Sequence, residues 1–279
     1  MNKLPLHKRP QIINLLVEGN SIRSTSRIAD VSINTVTKLL VDVGRACAAF
    51  HDTHVINVNS KRVQCDEIWS FVYSKDKNVP EGMEDKAGDV WTLVGIDADT
   101  KLVVSYALGN RDALSANDFM QDIAKRLSNR VQLTTDGFVA YLEAVAENFG
   151  SQIDFARLVK MYGGSSDGAT GTAERKYSPA VCTGAKKTVV SGNPDPMHIS
   201  TSFVERQNLT MRMHMRRFTR LTNGFSKKIE NHYHAIALHF VYYNFCKIHK
   251  TFRVTPAMEA KLTKRVMSIE DIIRLTDKN

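Results

Sequence analysis

The order of strand-like and helix-like runs between residues 63 and 160 constrains the fold of this chain more than any other feature of its sequence. Three runs rich in β-branched and aromatic residues come first, at 63–73, 90–97 and 102–108. They are followed by helix-like, strand-like, helix-like and strand-like runs at 115–127, 131–135, 137–149 and 153–160. Three antiparallel strands followed by this alternation predict an α/β fold with a mixed α+β sheet of the RNase H-like type.

Three acidic residues fall at positions of this fold that suit one metal site. In an RNase H-like sheet the first and fourth strands lie side by side, which would bring Asp66 and Asp136 together. Glu205 opens a helix-like run at 203–209. Two strand carboxylates and one helix carboxylate can hold two divalent cations about 4 Å apart, which activate one oxygen and stabilise the leaving one. We therefore expect these residues to bind two Mg²⁺ or Mn²⁺ ions and to act on a phosphodiester.

Each of these carboxylates also has an ordinary structural interpretation. Asp66 and Glu67 point to opposite faces of a strand, so only one is expected to face the site, and periodicity does not choose between them. A carboxylate in an apolar strand can form a salt bridge to an arginine. Asp136 before Gly137 is a common turn pair, and Glu205 suits the first turn of any helix. Their combination in this fold order favours the metal site.

Residues 7–45 predict three short helices. Ser21 is expected to cap the second helix and Ser32 the third, with a tight corner at residues 30–31. This pattern is typical of a helix-turn-helix, whose last helix usually enters the major groove of DNA. The polar residues expected to contact DNA at the start of that helix are Asn34, Thr35 and Lys38. The alternative is a three-helix packing module without a ligand.

A basic run follows Glu205, and the whole chain carries a formal net charge of +9, which favours a polyanionic partner. Such runs are often solvated surfaces. Next to a candidate catalytic residue, however, phosphate contacts are the better interpretation. The expected DNA-binding residues of this region are Arg206, Asn208, Arg212, Arg216, Arg217, Arg220, Lys227 and Lys228.

The 279 residues divide into a small N-terminal part and one large domain. We expect a helix-turn-helix domain at 1–46, a linker at 47–61, a catalytic domain at 62–252 and a C-terminal tail at 253–279. A stretch rich in Gly, Ser, Thr and Pro at 161–200, with only a short strand-like run near 187–190, is too long for an ordinary connection and predicts an insertion. A long helix is expected from residue 226 to about 250.

No zinc site is predicted. The four cysteines are scattered and the histidines at 232, 234, 239 and 249 lack the spacing of zinc ligands. We expect mostly buried, reduced thiols and histidines that pack in a helix. The N-terminus lacks the apolar region of a signal peptide, and no apolar run approaches the ~20 residues needed to span a bilayer. The sequence therefore predicts a cytoplasmic protein with no membrane partner.

Three segments together resemble the IS1 family of DDE transposases: QCDEIW at 64–69, TTDGFVAY at 134–141, and VERQNL at 204–209 with FSKK at 225–228. The resemblance covers residues 63–252 and extends, less specifically, over the helix-turn-helix. It implies an RNase H-like domain with a catalytic triad of Asp66, Asp136 and Glu205, and so favours Asp66 over Glu67. It also implies an insertion-sequence transposase that cuts its own DNA ends and joins them to target DNA.

Two features depart from the family pattern. The spacing from Asp136 to Glu205 is wider than in the best-known members, and the cysteine-rich zinc element of some relatives is absent. Because two double-stranded DNA ends must be brought together, at least a homodimer is expected. The alternatives are an RNase H-like nuclease that does not join strands, and a helix-turn-helix regulator without catalysis.

Overall fold

A six-stranded mixed sheet forms the centre of the protein. The computed structural model describes residues 4–5, 7–162, 182–219 and 222–277. The strands are β1 (Arg62–Val72), β2 (Gly88–Asp97), β3 (Val103–Gly109), β4 (Val131–Thr135), β5 (Ile153–Tyr162) and β6 (Cys182–Ser191), in the order β3-β2-β1-β4-β5-β6. Strands β1, β2 and β3 are antiparallel, β4 is parallel to both β1 and β5, and β6 is antiparallel to β5. The predicted mixed α/β class is confirmed.

Helices cover both faces of this sheet. They are α1 (Lys8–Val17), α2 (Ile22–Ala29), α3 (Ile33–His54), α4 (Ala113–Arg126), α5 (Ala140–Phe149), α6 (Ser202–His214), α7 (Ile229–Val241), α8 (Pro256–Glu259) and α9 (Ile269–Arg274). The predicted long helix near the C-terminus is shorter than expected, because α7 passes into a π-helical turn, Tyr242–Cys246. Within the described ranges, no helix is both long and apolar enough to cross a membrane.

The side-chain alternation of β1 separates two hydrophobic cores. Val63 and Cys65 pack with Phe119 of α4 and Tyr141 of α5. Ile68 faces the opposite side and belongs to a second core that includes residues of α3, α6 and α7. Because side chains alternate along a strand, those of Asp66 and Ile68 face α6 and α7, and that of Glu67 faces α5.

The caps predicted for the N-terminal helices are confirmed. The hydroxyl of Ser21 accepts from the amide of Ser24 at 3.0 Å, and that of Ser32 accepts from Thr35 at 3.1 Å. Asp30 turns the chain between α2 and α3 with a φ of +50°, a conformation that aspartate tolerates better than most residues. These local hydrogen bonds explain why the boundaries of α2 and α3 could be predicted from sequence.

Helix α3 continues to His54 and so occupies residues 47–54 of the predicted linker. Its buried side, which includes Val43, Cys47 and His51, packs against α7. Gly44 permits this close approach, since an added Cβ would lie 2.4 Å from the Cβ of His234. Burial of His51 among polar neighbours depends on the packing against α7, which the local sequence does not reveal.

Two other segments also differ from the predictions. Part of the predicted insertion at 161–200 forms β6, while residues 163–181 lie outside the described residues. The short helices α8 and α9 occupy the predicted tail, where Ile269, Ile272 and Ile273 are buried. Strand β6 is mostly exposed and rich in polar residues, and helices of four and six residues are too short for a clear apolar period.

Candidate active site

Three carboxylates converge where β1 and β4 lie side by side. The parallel register pairs Cys65 with Thr135, so Asp66 and Asp136 are the next residues along two neighbouring strands. One carboxylate oxygen each from Asp66, Glu67 and Asp136 can be chosen so that all three lie within 4.8 Å of one another. The sheet thus brings together the two strand carboxylates selected from the sequence, and adds a third.

Both Asp66 and Glu67 belong to the cluster, so the expectation that only one of them faces the site is wrong. The side chain of Glu67 does point away from that of Asp66, towards the hydroxyl of Tyr141 on α5. Asp136, however, follows the last residue of β4, and its carboxylate lies close to both neighbours. Strand alternation describes two opposite faces correctly, but it gives no information about a third residue located at the strand end.

Arg111 links two of these carboxylates and was not selected from the sequence. Its Nε donates to Oε2 of Glu67 at 3.2 Å, and an Nη lies 3.7 Å from Oδ2 of Asp136. The guanidinium also lies over the rings of Trp91 and Phe138, at 5.2 Å and 4.4 Å from their centroids. Arg111 is located between β3 and α4, so only the tertiary structure reveals its position.

Glu205 lies near this cluster without belonging to it. Its Oε2 is paired with Nζ of Lys160 on β5 at 2.5 Å, and its Oε1 accepts from the hydroxyl of Thr201 at 2.5 Å. Burial raises the pKa of both Asp66 and Asp136, and the negative charge of Glu205 adds a smaller contribution in the same direction. The carboxylate of Glu205, which the sequence assigned to a metal ion, is therefore paired with the ammonium group of a lysine.

Two buried amides attach α6 to β1. The side-chain oxygen of Gln64 accepts from the backbone amides of Phe203 and Val204 at 2.8 Å and 3.3 Å, which satisfies donors at the start of α6. One turn later, Nδ2 of Asn208 donates to Oδ2 of Asp66 at 2.9 Å. Asn208 was expected to contact DNA, but it is only 3% exposed and supports Asp66 instead.

Burial and repulsion from neighbouring carboxylates raise the pKa of each carboxylate in the cluster. Burial, followed by the charges of Asp136 and Glu67, raises the pKa of Asp66 to about 7. Burial and the charge of Asp136 raise the pKa of Glu67 to about 7, against the opposing effect of Arg111. Burial also raises the pKa of Asp136. A divalent cation would relieve this repulsion, and a set of carboxylate oxygens is the donor set that Mg²⁺ and Mn²⁺ prefer.

The residues expected to bind DNA differ in their exposure. Asn34 and Lys38 at the start of α3 are exposed, and Thr35 is half-buried with its hydroxyl 2.8 Å from that of Ser32. In the basic run, the exposed residues are Arg206, Arg216, Lys227 and Lys228, and Arg212 is half-buried. Arg220 lies outside the described residues.

Arg217 has a structural position. Its guanidinium donates to the hydroxyl of Ser226 at 2.6 Å and to the backbone oxygen of Asn231 at 2.9 Å. Burial lowers its pKa to about 10. The arginine expected to contact phosphate thus holds the segment before α7 in place.

The histidines of α7 pack within the protein. His232 is within 3.0 Å of the hydroxyls of Ser70 and Ser226, and His239 is also buried. Burial lowers the pKa of both to about 3. All four cysteines are free; Cys47 and Cys65 are buried as expected, whereas Cys182 is exposed.

No protein-family model and no curated protein matches this chain. Among solved structures, it is similar to a piggyBac transposase in a synaptic complex with hairpin DNA, with 11% sequence identity and a TM-score of 0.41. The similarity covers 97% of this chain and 69% of that one. At this TM-score the likeness supports no conclusion about fold or function. Both are argued from the geometry of this chain alone.

Proposed function

We propose that this protein is a DDE transposase of an insertion sequence, similar to the IS1 family. It would cut double-stranded DNA at the ends of its element and join the freed strands to target DNA. The observation that carries the proposal is the convergence of Asp66 and Asp136 from adjacent strands, with Glu67, into one carboxylate cluster. The strand order β3-β2-β1-β4-β5 supports an RNase H-like catalytic domain, in which such a cluster is expected.

In this proposal Asp66, Asp136 and Glu205 hold two divalent ions, which would activate the attacking oxygen and stabilise the leaving one. Asn208 and Gln64 position α6, and therefore Glu205, relative to β1. Lys160 neutralises Glu205 when no cation does so. Glu205 would give up this ion pair when it holds a metal.

DNA would be bound by two surfaces. The first is the start of α3, where Asn34 and Lys38 are exposed in a helix–turn–helix arrangement that suits the major groove. The second is the basic run after Glu205, which would contact phosphates through Arg206, Arg216, Lys227 and Lys228. Because transposition brings two ends together, at least a dimer would form the active assembly.

A nuclease that cuts without joining is the second candidate, because the same carboxylate cluster would support hydrolysis. The test incubates the protein with labelled DNA from the flanks of its gene, a target plasmid and Mg²⁺ or Mn²⁺. A transposase yields a metal-dependent joined product that is lost in Glu205→Gln. Glu143→Gln is the matched control, since Glu143 also lies in the first turn of a helix, α5.

The other outcomes separate the alternatives. Cutting without a joined product would indicate the nuclease. Binding of the flanking DNA with no chemistry, even in Mn²⁺, would favour a helix-turn-helix regulator. Full joining activity in Glu205→Gln or Asp136→Asn would contradict the triad.

A further inference from the structure

We infer that Arg111 contacts the reacting phosphodiester and that Glu67 is the residue that positions it. The inference rests on the proposed function, and it assigns roles to two residues outside the triad. The group expected to bind on this side of the cluster is a phosphodiester, which carries a single negative charge shared by its oxygens.

The position of Arg111 is fixed from several directions. Its Nε is bound to Oε2 of Glu67, a side chain that is only 2% exposed. Its guanidinium lies over Trp91 on one strand and Phe138 beyond another. Cation–π contacts at these distances are favourable. Together they restrict the rotation of a side chain that would otherwise lose considerable entropy on binding a ligand.

The free edge of this guanidinium lies beside the carboxylate cluster. One Nη lies 3.7 Å from Oδ2 of Asp136, which is longer than a hydrogen bond. The side chain of Arg111 keeps 39% of its surface exposed. An arginine has five N–H donors in a planar fork that matches phosphate oxygens. Since Glu67 uses Nε, the Nη groups retain donors for a substrate.

A surface ion pair would be the simplest alternative interpretation of Arg111. Arg130 is such a pair: its side chain is 40% exposed and bound to Asp154 at 2.7 Å. It precedes β4, whereas Asp136 follows the same strand, so Arg130 lies at the opposite end from the cluster. Arg111 differs from it because two rings and a buried glutamate hold it beside Asp136. Arg130 is therefore the matched control.

The test measures binding of dimethyl phosphate, a small phosphodiester, to the Mn²⁺-loaded protein through ³¹P relaxation. Arg111→Gln is expected to lower the affinity for dimethyl phosphate at least about fivefold, because a charge-assisted contact is lost. Arg130→Gln should stay within about twofold of the unchanged protein, since its side chain lies away from the cluster. Binding is compared at saturating Mn²⁺, verified for each variant by electron paramagnetic resonance, because removing Arg111 from beside Glu67 and Asp136 is expected to change the Mn²⁺ affinity.

Two further variants test the positioning role. Arg111→Lys keeps the charge without the planar fork, so it should recover part of the binding of dimethyl phosphate but not the DNA-cutting rate. Glu67→Gln should lower the affinity for dimethyl phosphate without lowering the Tm. It should also reduce the cutting rate at saturating DNA more than it changes the DNA concentration at half-saturation. A merely structural Glu67 would instead lower the Tm.

The outcomes separate this inference from the proposed function. Equal binding of dimethyl phosphate by the unchanged protein and Arg111→Gln overturns the inference, whether or not the protein cuts DNA. If dimethyl phosphate binding depends on Arg111 but the protein neither cuts nor joins DNA, the proposed function is contradicted and the phosphodiester site is supported.

Discussion

The side-chain amide of Asn208 donates a 2.9 Å hydrogen bond to Oδ2 of Asp66 and so joins α6 to β1 at the carboxylate cluster. Asn208 follows Glu205 by one helical turn, which places both residues on the same side of α6. The bond therefore sets the distance between the helix carboxylate and the strand carboxylates. Metal sites depend on such supporting contacts nearly as much as on their ligands.

Asn208→Ala is expected to impair the site more than the fold. Loss of one buried hydrogen bond should lower the free energy of unfolding by about 1–2 kcal/mol. The cutting rate should fall at least about tenfold, because small displacements of catalytic groups are costly. Chemical denaturation and a single-turnover cutting assay measure the two effects. Asn148→Ala, which removes the amide bound to Asn117, should affect stability alone; an equal loss of cutting rate in both variants would contradict the supporting role.

The affinity for divalent cations should rise with pH. The pKa values of Asp66 and Glu67 are raised to about 7, so a cation must displace protons from them at lower pH. Mn²⁺ should bind at least about tenfold more tightly at pH 8 than at pH 6, with proton release at pH 6. Calorimetric titration in buffers of different ionisation enthalpy measures both quantities. An affinity that does not change over this range would contradict the coupled carboxylates.

Asp66→Asn should stabilise the metal-free protein at high pH. The pKa of Asp66 is raised in the folded state from 3.8 to about 7, so the folded protein binds more protons than the unfolded chain between these values. Stability is consequently lost as the pH rises through this window, and the penalty is complete above it. The amide variant avoids the penalty and can still accept the bond from Asn208.

Urea unfolding in a chelator measures this difference. At pH 8 the variant should be more stable by about 1–2 kcal/mol, less than the full shift because the charges are coupled. At pH 5 the difference should shrink towards zero. Asp136→Asn, just beyond the end of β4, should change the stability in the same direction, since burial raises the pKa of Asp136 as well. A variant less stable than the unchanged protein at pH 8 would refute the buried-charge account.

The basic surface should act through phosphate charge. Replacing Lys227 and Lys228 with glutamine is expected to weaken DNA binding uniformly across sequences. It should also lower the slope of log affinity against log salt by about 1–2, one phosphate contact for each lysine. Lys61→Gln with Lys125→Gln removes the same charge from exposed positions just before β1 and on α4, away from the end of β1 that pairs with Ser226, and should leave the slope unchanged. Equal slopes for the two double variants would place the DNA elsewhere.

Local sequence signals predicted the strands and helix caps well. The five residues of β4 have the predicted bounds, and Ser21 and Ser32 cap the predicted helices. These features depend on contacts within a few residues. Only residues 187–190 of strand β6 were expected to be strand-like, and helices α8 and α9 were not predicted, because the stability of these elements comes from pairing with β5 and from the core rather than from their own pattern.

The site was predictable only in part, for a related reason. Asp66 and Asp136 meet because two runs identifiable in the sequence become neighbouring parallel strands. Arg111 reaches Glu67 and Asp136 from a connection that has no motif. Glu205 and Asn208 lie on one helix, but their different partners, Lys160 and Asp66, are set by how that helix packs on the sheet. The supporting roles of Arg111, Lys160 and Asn208 therefore depend on tertiary packing, which the sequence pattern does not reveal.

The most direct test of the carboxylate cluster as a metal site is the anomalous scattering of a crystal soaked in Mn²⁺. The account predicts a manganese peak bound by Asp66 and Asp136, with Glu205 released from Lys160 and turned towards the ion. The peak should be absent from crystals of Asp136→Asn. A soaked crystal with no peak at the cluster, or with Mn²⁺ bound only at sites that exclude Asp136, would contradict the central claim.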